Sequence, residues 1–173
     1  MRRTSRALPE KLYASAIHWE GWTFHILSSA LGLRFVDLEG TPFAALGDRL
    51  DARILPDDEP NAEILGQLRE YLRGERQAFT LALDLRGTPF QVSVWHAVGR
   101  IPYGTLQSYG DVARRIDRPS ATRAVGQAVG ANPVALVIPC HRVVGSSGEL
   151  VGYRGGLPLK ERLLALEQGS LSL

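Results

Sequence analysis

Apolar positions alternate with polar ones over residues 11–36, in the runs LYASAIHW, WTFHIL and LGLRFVDL. A period of two is the signature of strands, and Gly21 and Gly32 fall where turns must separate them. Residues 41–60 are acidic and proline-bearing and read as a helix or loop followed by a turn. The period then changes. In NAEILGQLREYLR, Ile64, Leu65, Leu68 and Leu72 recur at helical spacing, with Asn61 or its predecessors placed to cap and Gly74 to end the helix. Nothing in this helix signals function. Residues 75–88 read as a linker with a short strand, which sets a domain boundary near 80–88.

A second set of helices follows. Pro89 opens one at its tolerated first-turn position, with Phe90, Val94, Trp95 and Val98 on one face and Gly99 at its end. After the turn-rich IPYGTLQSYG, Ser108 is placed to cap a helix from about Tyr109 to Ile116. Arg118-Pro119-Ser120 makes a turn, and Ser120 is placed to cap ATRAVGQAVGAN. Two helices joined this way form a helix-turn-helix shape, which many purely structural pairs share. The five apolar residues Val134–Ile138, bounded by prolines, read as a short buried strand ending at Cys140. The glycine-rich LVGYRGG could line a pocket, and LPLKERLLALE reads as a last amphipathic helix. The fold class is therefore α+β. A small strand-plus-helix domain (1–80) precedes a mostly helical domain (88–173) that holds the helix-turn-helix and the cysteine strand.

Composition narrows the classes. An apolar fraction of 45% over 173 residues suffices for a core. One cysteine excludes an internal disulfide and starves a cysteine-based zinc site of ligands. His18 and His25 sit among Trp19 and Trp22, but no paired carboxylate completes a metal site there, and packing is the reading taken. The arginine-bearing start has no apolar segment behind it, and no run approaches the ~18–20 residues of a membrane span. The expectation is an intracellular, cytoplasmic protein with neither membrane nor cofactor; the first ten residues read as loosely docked or disordered.

Charge is uneven. Residues 1–78 carry 10 basic and 12 acidic side chains, and residues 79–173 carry 10 and 6. Arg100, Arg114, Arg115, Arg118, Arg123 and Arg142 face only Asp111 and Asp117 between residues 100 and 142. That excess suits a polyanionic partner and equally suits a solvated basic face. Helical periodicity puts Arg123, Gly126, Gln127 and Gly130 opposite Val125 and Val129. Two glycines on one helix face admit a close neighbour, either another helix or a duplex groove.

The chemistry concentrates at PCHR. A lone cysteine is usually a small buried hydrophobe. Here His141 can share its proton and Arg142 can stabilise a thiolate, so Cys140 reads as reactive.

Residues 88–168 closely resemble the catalytic domain of the O6-alkylguanine-DNA alkyltransferases, also called methylated-DNA–protein-cysteine methyltransferases. The text that carries the resemblance is IPYGTLQSYGDVA, then RAVG…NP, PCHRV and GYRGG, in family order. Residues 1–80 resemble the family's variable, ribonuclease-H-like N-terminal domain more weakly. The resemblance implies a protein that binds duplex DNA through the minor groove and flips out a damaged guanine. Its cysteine then takes the O6-alkyl group irreversibly, once.

It implies the following roles. Cys140 is the acceptor, His141 the base and Glu167 the carboxylate that orients it. Neighbours on a strand point to opposite faces, so Cys140 and His141 need a kink or a bridging water, and the family implies a water. Tyr109 donates a proton to the leaving guanine, and Asn132 braces the turn before the strand. Arg123 fills the gap left by the base, with Tyr109, Ala124, Gly126, Gln127 and Arg142 also at the DNA. Val143, Tyr153, Arg154, Gly155 and Gly156 form the pocket. No metal, cofactor or obligate protein partner is implied, and the protein is expected to be a monomer. Some relatives carry an N-terminal zinc on cysteine and histidine, for which this chain lacks the cysteines. Gly130 stands where a relative has an arginine. Alkyltransferase-like proteins lack the cysteine that this chain keeps. A non-enzymatic damage binder and an unrelated cysteine hydrolase are the competing readings.

Overall fold

The computed structural model describes residues 9–169. The expectation for the first ten residues falls largely on residues 1–8, outside the described residues; Glu10 already belongs to a strand. Four strands form the first sheet: β1 (Glu10–Trp19), β2 (Trp22–Ser29), β3 (Gly32–Asp37) and β4 (Ala52–Pro56), in the order β3-β2-β1-β4. The three predicted strands pair antiparallel in sequence, β1 with β2 and β2 with β3. β4 lies parallel to β1 and was not predicted; its five residues end on a proline inside an acidic segment, a composition that hides an edge strand.

Helix α1 (Phe43–Leu50) crosses back between β3 and β4 and helps to cover one sheet face, where Leu12, Ala14, Leu27, Phe35 and Leu46 cluster. The other face, with Ile17, Phe24, Ile26 and Val36, belongs to the main core. Helix α2 (Ala62–Leu72) packs there, and its predicted stripe Ile64, Leu65, Leu68 and Leu72 is buried. Asn61 does not cap α2 through its side chain. It is fully buried and instead donates to the Tyr13 carbonyl at 3.2 Å and Ser15 Oγ at 3.0 Å.

The main core does not stop at the end of α2. It takes in Trp95, Val112, Val125, Val134, Leu136 and Leu163 from the second half of the chain. Residues 75–88 run extended between the halves and are stitched to β3 by Leu33 N–H to the Ala82 carbonyl and Asp84 N–H to the Leu33 carbonyl, both 2.9 Å. Gly32 is required at this seam. Its φ is +135°, and a Cβ there would lie 2.3 Å from the Ala82 carbonyl oxygen.

Helix α3 (Pro89–Gly99) begins with a capping box between Thr88 and Gln91, and α4 (Tyr109–Arg115) with one between Ser108 and Asp111. Helix α5 (Thr122–Gly130) packs on both and completes the helix-turn-helix. Ser120 does not cap α5, because Pro119–Ala121 forms a 3-10 turn that runs into it. Two short parallel strands, β5 (Gln107–Ser108) and β6 (Val143–Val144), precede the last helix, α6 (Leu157–Glu167). None of the helices among the described residues is long and apolar enough to cross a membrane.

The α+β class stands, but the cysteine is not carried by a strand. Residues 134–138 run in successive turns with all but the half-buried Val137 buried, and Leu136 lies at φ +72°. Asn132 causes this. Its Nδ2 donates to the Ile138 carbonyl at 2.8 Å, its Oδ1 accepts from Val134 N–H at 3.0 Å, and Ile138 N–H reaches the Val134 carbonyl at 2.9 Å. The run folds back on itself. Four of its five apolar side chains are buried, a condition that periodicity cannot distinguish from a strand.

Candidate active site

The loop closed by Asn132 delivers Cys140, His141 and Arg142 as one turn of 3-10 helix (Cys140–Arg142). Cys140 N–H donates to the Ile138 carbonyl at 2.8 Å, and Arg142 N–H to the Pro139 carbonyl at 2.9 Å. With about three residues per turn, successive side chains leave roughly a third of a circle apart. The sulfur, imidazole and guanidinium therefore take three directions, and the opposed faces expected of a strand do not arise.

His141 and Arg142 meet Glu167 at the end of α6. His141 Nε2 lies 2.7 Å from Glu167 Oε1. Arg142 grips the same carboxylate with Nε to Oε2 and Nη2 to Oε1, both 2.9 Å, and Gly104 N–H adds a bond to Oε2 at 3.0 Å. Arg142 also donates Nη1 to the Ile101 carbonyl at 2.5 Å. It is buried and spent on internal partners, which corrects its assignment to the DNA surface.

A residue of the first half joins this cluster. Tyr71 on α2 donates its hydroxyl to Glu167 Oε1 at 2.6 Å, and Tyr71 Oη lies 3.1 Å from His141 Nε2. Burial alone would raise the Glu167 pKa. The hydrogen bonds from His141, Arg142 and Tyr71 overcome that and hold the carboxyl well below the usual range. Burial lowers the pKa of His141 despite Glu167, so the ring rests neutral. With Nε2 turned to the carboxylate, Nδ1 is the nitrogen that keeps a lone pair, and it is buried without a protein partner.

Cys140 faces the other way, into a cavity of about 210 Å³. Tyr109, Gly126 and Gly130 form one side of it, and Tyr153 and Arg154 the other. Burial pushes the thiol pKa up, while the Asn132 side chain, Arg154 and Lys160 pull it back in part. Burial, then Cys140, raises the phenols of Tyr109 and Tyr153, so both stay protonated. The Tyr109 hydroxyl reaches the Val151 carbonyl at 3.3 Å; that of Tyr153 is buried beside Cys140 without a conventional partner. Arg154 donates to the Asn132 carbonyl and stacks 5.4 Å from the Phe35 ring centre.

The other residues expected in the pocket do not line it. Val143 is fully buried, and its carbonyl accepts from Lys160 Nζ at 2.6 Å. Gly155 lets the loop close on Leu38 and Leu159, where a Cβ would come to 3.1 and 2.5 Å. Gly156 starts α6 at φ +86°. These glycines set the loop and the helix behind the cavity. A larger groove, about 570 Å³, lies behind Arg142 against α3 and residues 77–83; Cys140 does not line it.

On α5, Arg123, Ala124, Gln127 and Gly130 are exposed while Val125 and Val129 are buried, the arrangement periodicity required. Gly126 is half-buried, and a Cβ there would touch the Tyr109 ring at 3.8 Å. The cavity mouth therefore opens beside the arginine-and-glycine face.

Sequence reasoning missed Tyr71 and Lys160. Tyr71 shares its helix face with Ile64 and Leu68, and a buried phenol requires a hydroxyl partner. Lys160 and Glu167 share the α6 face of Leu163 and Leu164, which marked both as buried.

Residues 12–85 match the family model described as 6-O-methylguanine DNA methyltransferase, ribonuclease-like domain, and residues 89–169 match the corresponding DNA binding domain. The chain is 42% identical over 166 residues, 93% of each sequence, to the inducible methylated-DNA–protein-cysteine methyltransferase of Bacillus subtilis. It superposes on the crystal structure of Mycobacterium tuberculosis O6-methylguanine methyltransferase with a TM-score of 0.80 at 38% identity, covering 91% of this chain and 93% of that one. A structure of Mycobacterium tuberculosis OGT in complex with DNA gives a TM-score of 0.78 at 36% identity, covering 92% and 93%. With both halves matched in order, the chain belongs to the 6-O-methylguanine DNA methyltransferase family.

Proposed function

We propose that this chain repairs duplex DNA by taking the alkyl group of O6-alkylguanine onto its own Cys140, once per molecule. One observation carries the reading: a single cavity joins the exposed α5 face to the Cys140 sulfur. A duplex docked by its minor groove on α5 can release a base into that cavity, which is where the sulfur can meet the alkyl carbon. Arg123 fills the space the base leaves, while Ala124, Gly126 and Gln127 lie against the groove.

The reaction is a displacement at carbon. The Cys140 proton passes to His141 Nδ1 through one water, and Glu167 stabilises the imidazolium. The sulfur forms a bond to the alkyl carbon as the carbon–O6 bond breaks. Tyr109, held protonated, supplies a proton to the departing guanine, so no bare anion leaves. Arg154 and Lys160 place positive charge near the sulfur as it ionises. The thioether has no proton to lose and no route back to thiol, hence one turnover.

A buried neutral thiol suits this chemistry, because the nucleophile is unmasked only when a substrate is in place. Action on duplex DNA by a reduced thiol fits the cytoplasm, the localisation we propose.

The reading is tested with a duplex carrying a labelled methyl group on O6 of guanine. Label should move to the protein up to one equivalent and stop, and Cys140→Ala should bind the duplex without taking label. Binding without transfer by the unaltered protein would favour a damage-flagging role.

A further inference from the structure

Tyr71 is separated from His141 by 70 residues in sequence and by 3.1 Å in space. It belongs to the half of the chain in which the sequence shows no chemistry. From its place in the cluster we infer that Tyr71 is a positioning residue for the proposed alkyl transfer, fixing the tautomer of His141 from the N-terminal half; the inference rests on the function proposed above.

Tyr71 Oη is 2.6 Å from Glu167 Oε1, and an ionised carboxylate only accepts, so the phenolic proton points at Glu167. The lone pairs of Tyr71 Oη are then turned toward His141 Nε2. The second neighbour of Nε2 is Glu167 Oε1, again an acceptor, at 2.7 Å. A ring nitrogen flanked by two acceptors carries the proton. The other nitrogen, Nδ1, is left as the base, and it alone lacks a protein partner. Tyr71 is fully buried, so water does not substitute for its hydroxyl.

The ring is held independently of the hydroxyl. It packs against Phe79 at 5.3 Å and edge-on to Tyr103 at 6.2 Å. Removing only the oxygen therefore tests the hydroxyl rather than the packing. The charged and titratable groups acting on His141 are Glu167, Arg142 and Lys160, with Tyr71 and Cys140 beside it. Arg142 and Lys160 both oppose protonation of the ring, so an imidazolium there depends on the two acceptors at Nε2.

The experiment compares Tyr71→Phe with the unaltered full-length chain. The rate constant for methyl transfer from an O6-methylguanine duplex should fall about tenfold, as expected for losing a hydrogen bond to a charged group. The rising limb of its pH profile should move to lower pH, because the imidazolium forms less readily and the ring is free to act as base at lower pH. Alkylation of Cys140 by iodoacetamide in the absence of DNA should show the same downward shift, while duplex affinity stays within about twofold. An unchanged rate constant overturns the inference. So does a slower rate with unmoved pH profiles, which would mark a merely structural role. Should the variant fold poorly, nitrogen-15 NMR of the unaltered protein decides: a proton on His141 Nε2 is expected, and a proton on Nδ1 overturns the inference. The iodoacetamide and NMR readings need no DNA, and transfer by the unaltered protein is scored separately, so failure here is distinguishable from failure of the proposed function.

Discussion

Arg142 and Glu167 form a buried two-point ion pair, Nε to Oε2 and Nη2 to Oε1, each 2.9 Å. The guanidinium fork matches the carboxylate plane, and a backbone N–H from Gly104 completes the shell. The pair joins the end of α6 to the turn that carries Cys140.

Arg142→Met tests that role. It leaves Glu167 buried without its main counter-charge, and breaking one side of a buried pair costs about 3–5 kcal/mol. Chemical denaturation should show a loss of that order. The affinity of the folded variant for undamaged duplex should not change; a selective loss of DNA binding at normal stability would restore the surface assignment.

Asn132→Ala removes the side chain that shapes the cysteine loop. The Val134 N–H loses its partner inside the core, at about 1–3 kcal/mol for a buried group left unpaired, while the Ile138 carbonyl keeps only the Cys140 N–H. Lower stability and slower methyl transfer should appear together. Full activity in a destabilised protein would show that the 3-10 turn holds without Asn132.

Acid and alkali should act through different residues. The folded-state pKa values of His141 and Glu167 are lowered from ordinary values of 6.5 and 4.5. The unfolded chain therefore binds more protons below about pH 6.5, and stability present above that pH is lost as pH falls. The Cys140 pKa is raised from 9.0, so its contribution is full below that value and is lost as pH rises through the higher folded value. Melting temperature should plateau between these limits. Cys140→Ala should soften the alkaline fall, and an identical fall in both proteins would remove Cys140 as its cause.

Arg123 and Gly126 separate docking from chemistry. Arg123→Ala should slow transfer from duplex DNA by about tenfold or more, yet leave reaction with free O6-methylguanine base unchanged, since a flipped base needs a placeholder and a free base does not. Gly126→Val should slow both, because its side chain enters the cavity beside Tyr109. Equal loss for duplex and free base in Arg123→Ala would contradict the placeholder role.

The alternation of residues 11–36 made three strands legible, and Ser108 as a cap fixed the start of α4. β4 escaped because a five-residue edge strand ending in proline has no period of its own. Cys140 and His141 stood out as neighbours, but their divergence did not, since it follows from the Asn132 bond to Ile138. Arg142 looked like a surface cation because its partner lies 25 positions away. Tyr71 was lost for the same reason at greater range: sequence periodicity shows which face is buried, not which distant carboxylate waits there.

Cys140 itself is the residue proposed to accept the alkyl group. The most direct measurement is mass spectrometry of the protein after incubation with a duplex containing O6-methylguanine, on the intact chain and then on the peptide that holds Cys140. One methyl in place of one hydrogen is expected, located on Cys140, with no second addition at excess DNA. An unchanged mass, or a methyl group on any other residue, would contradict it.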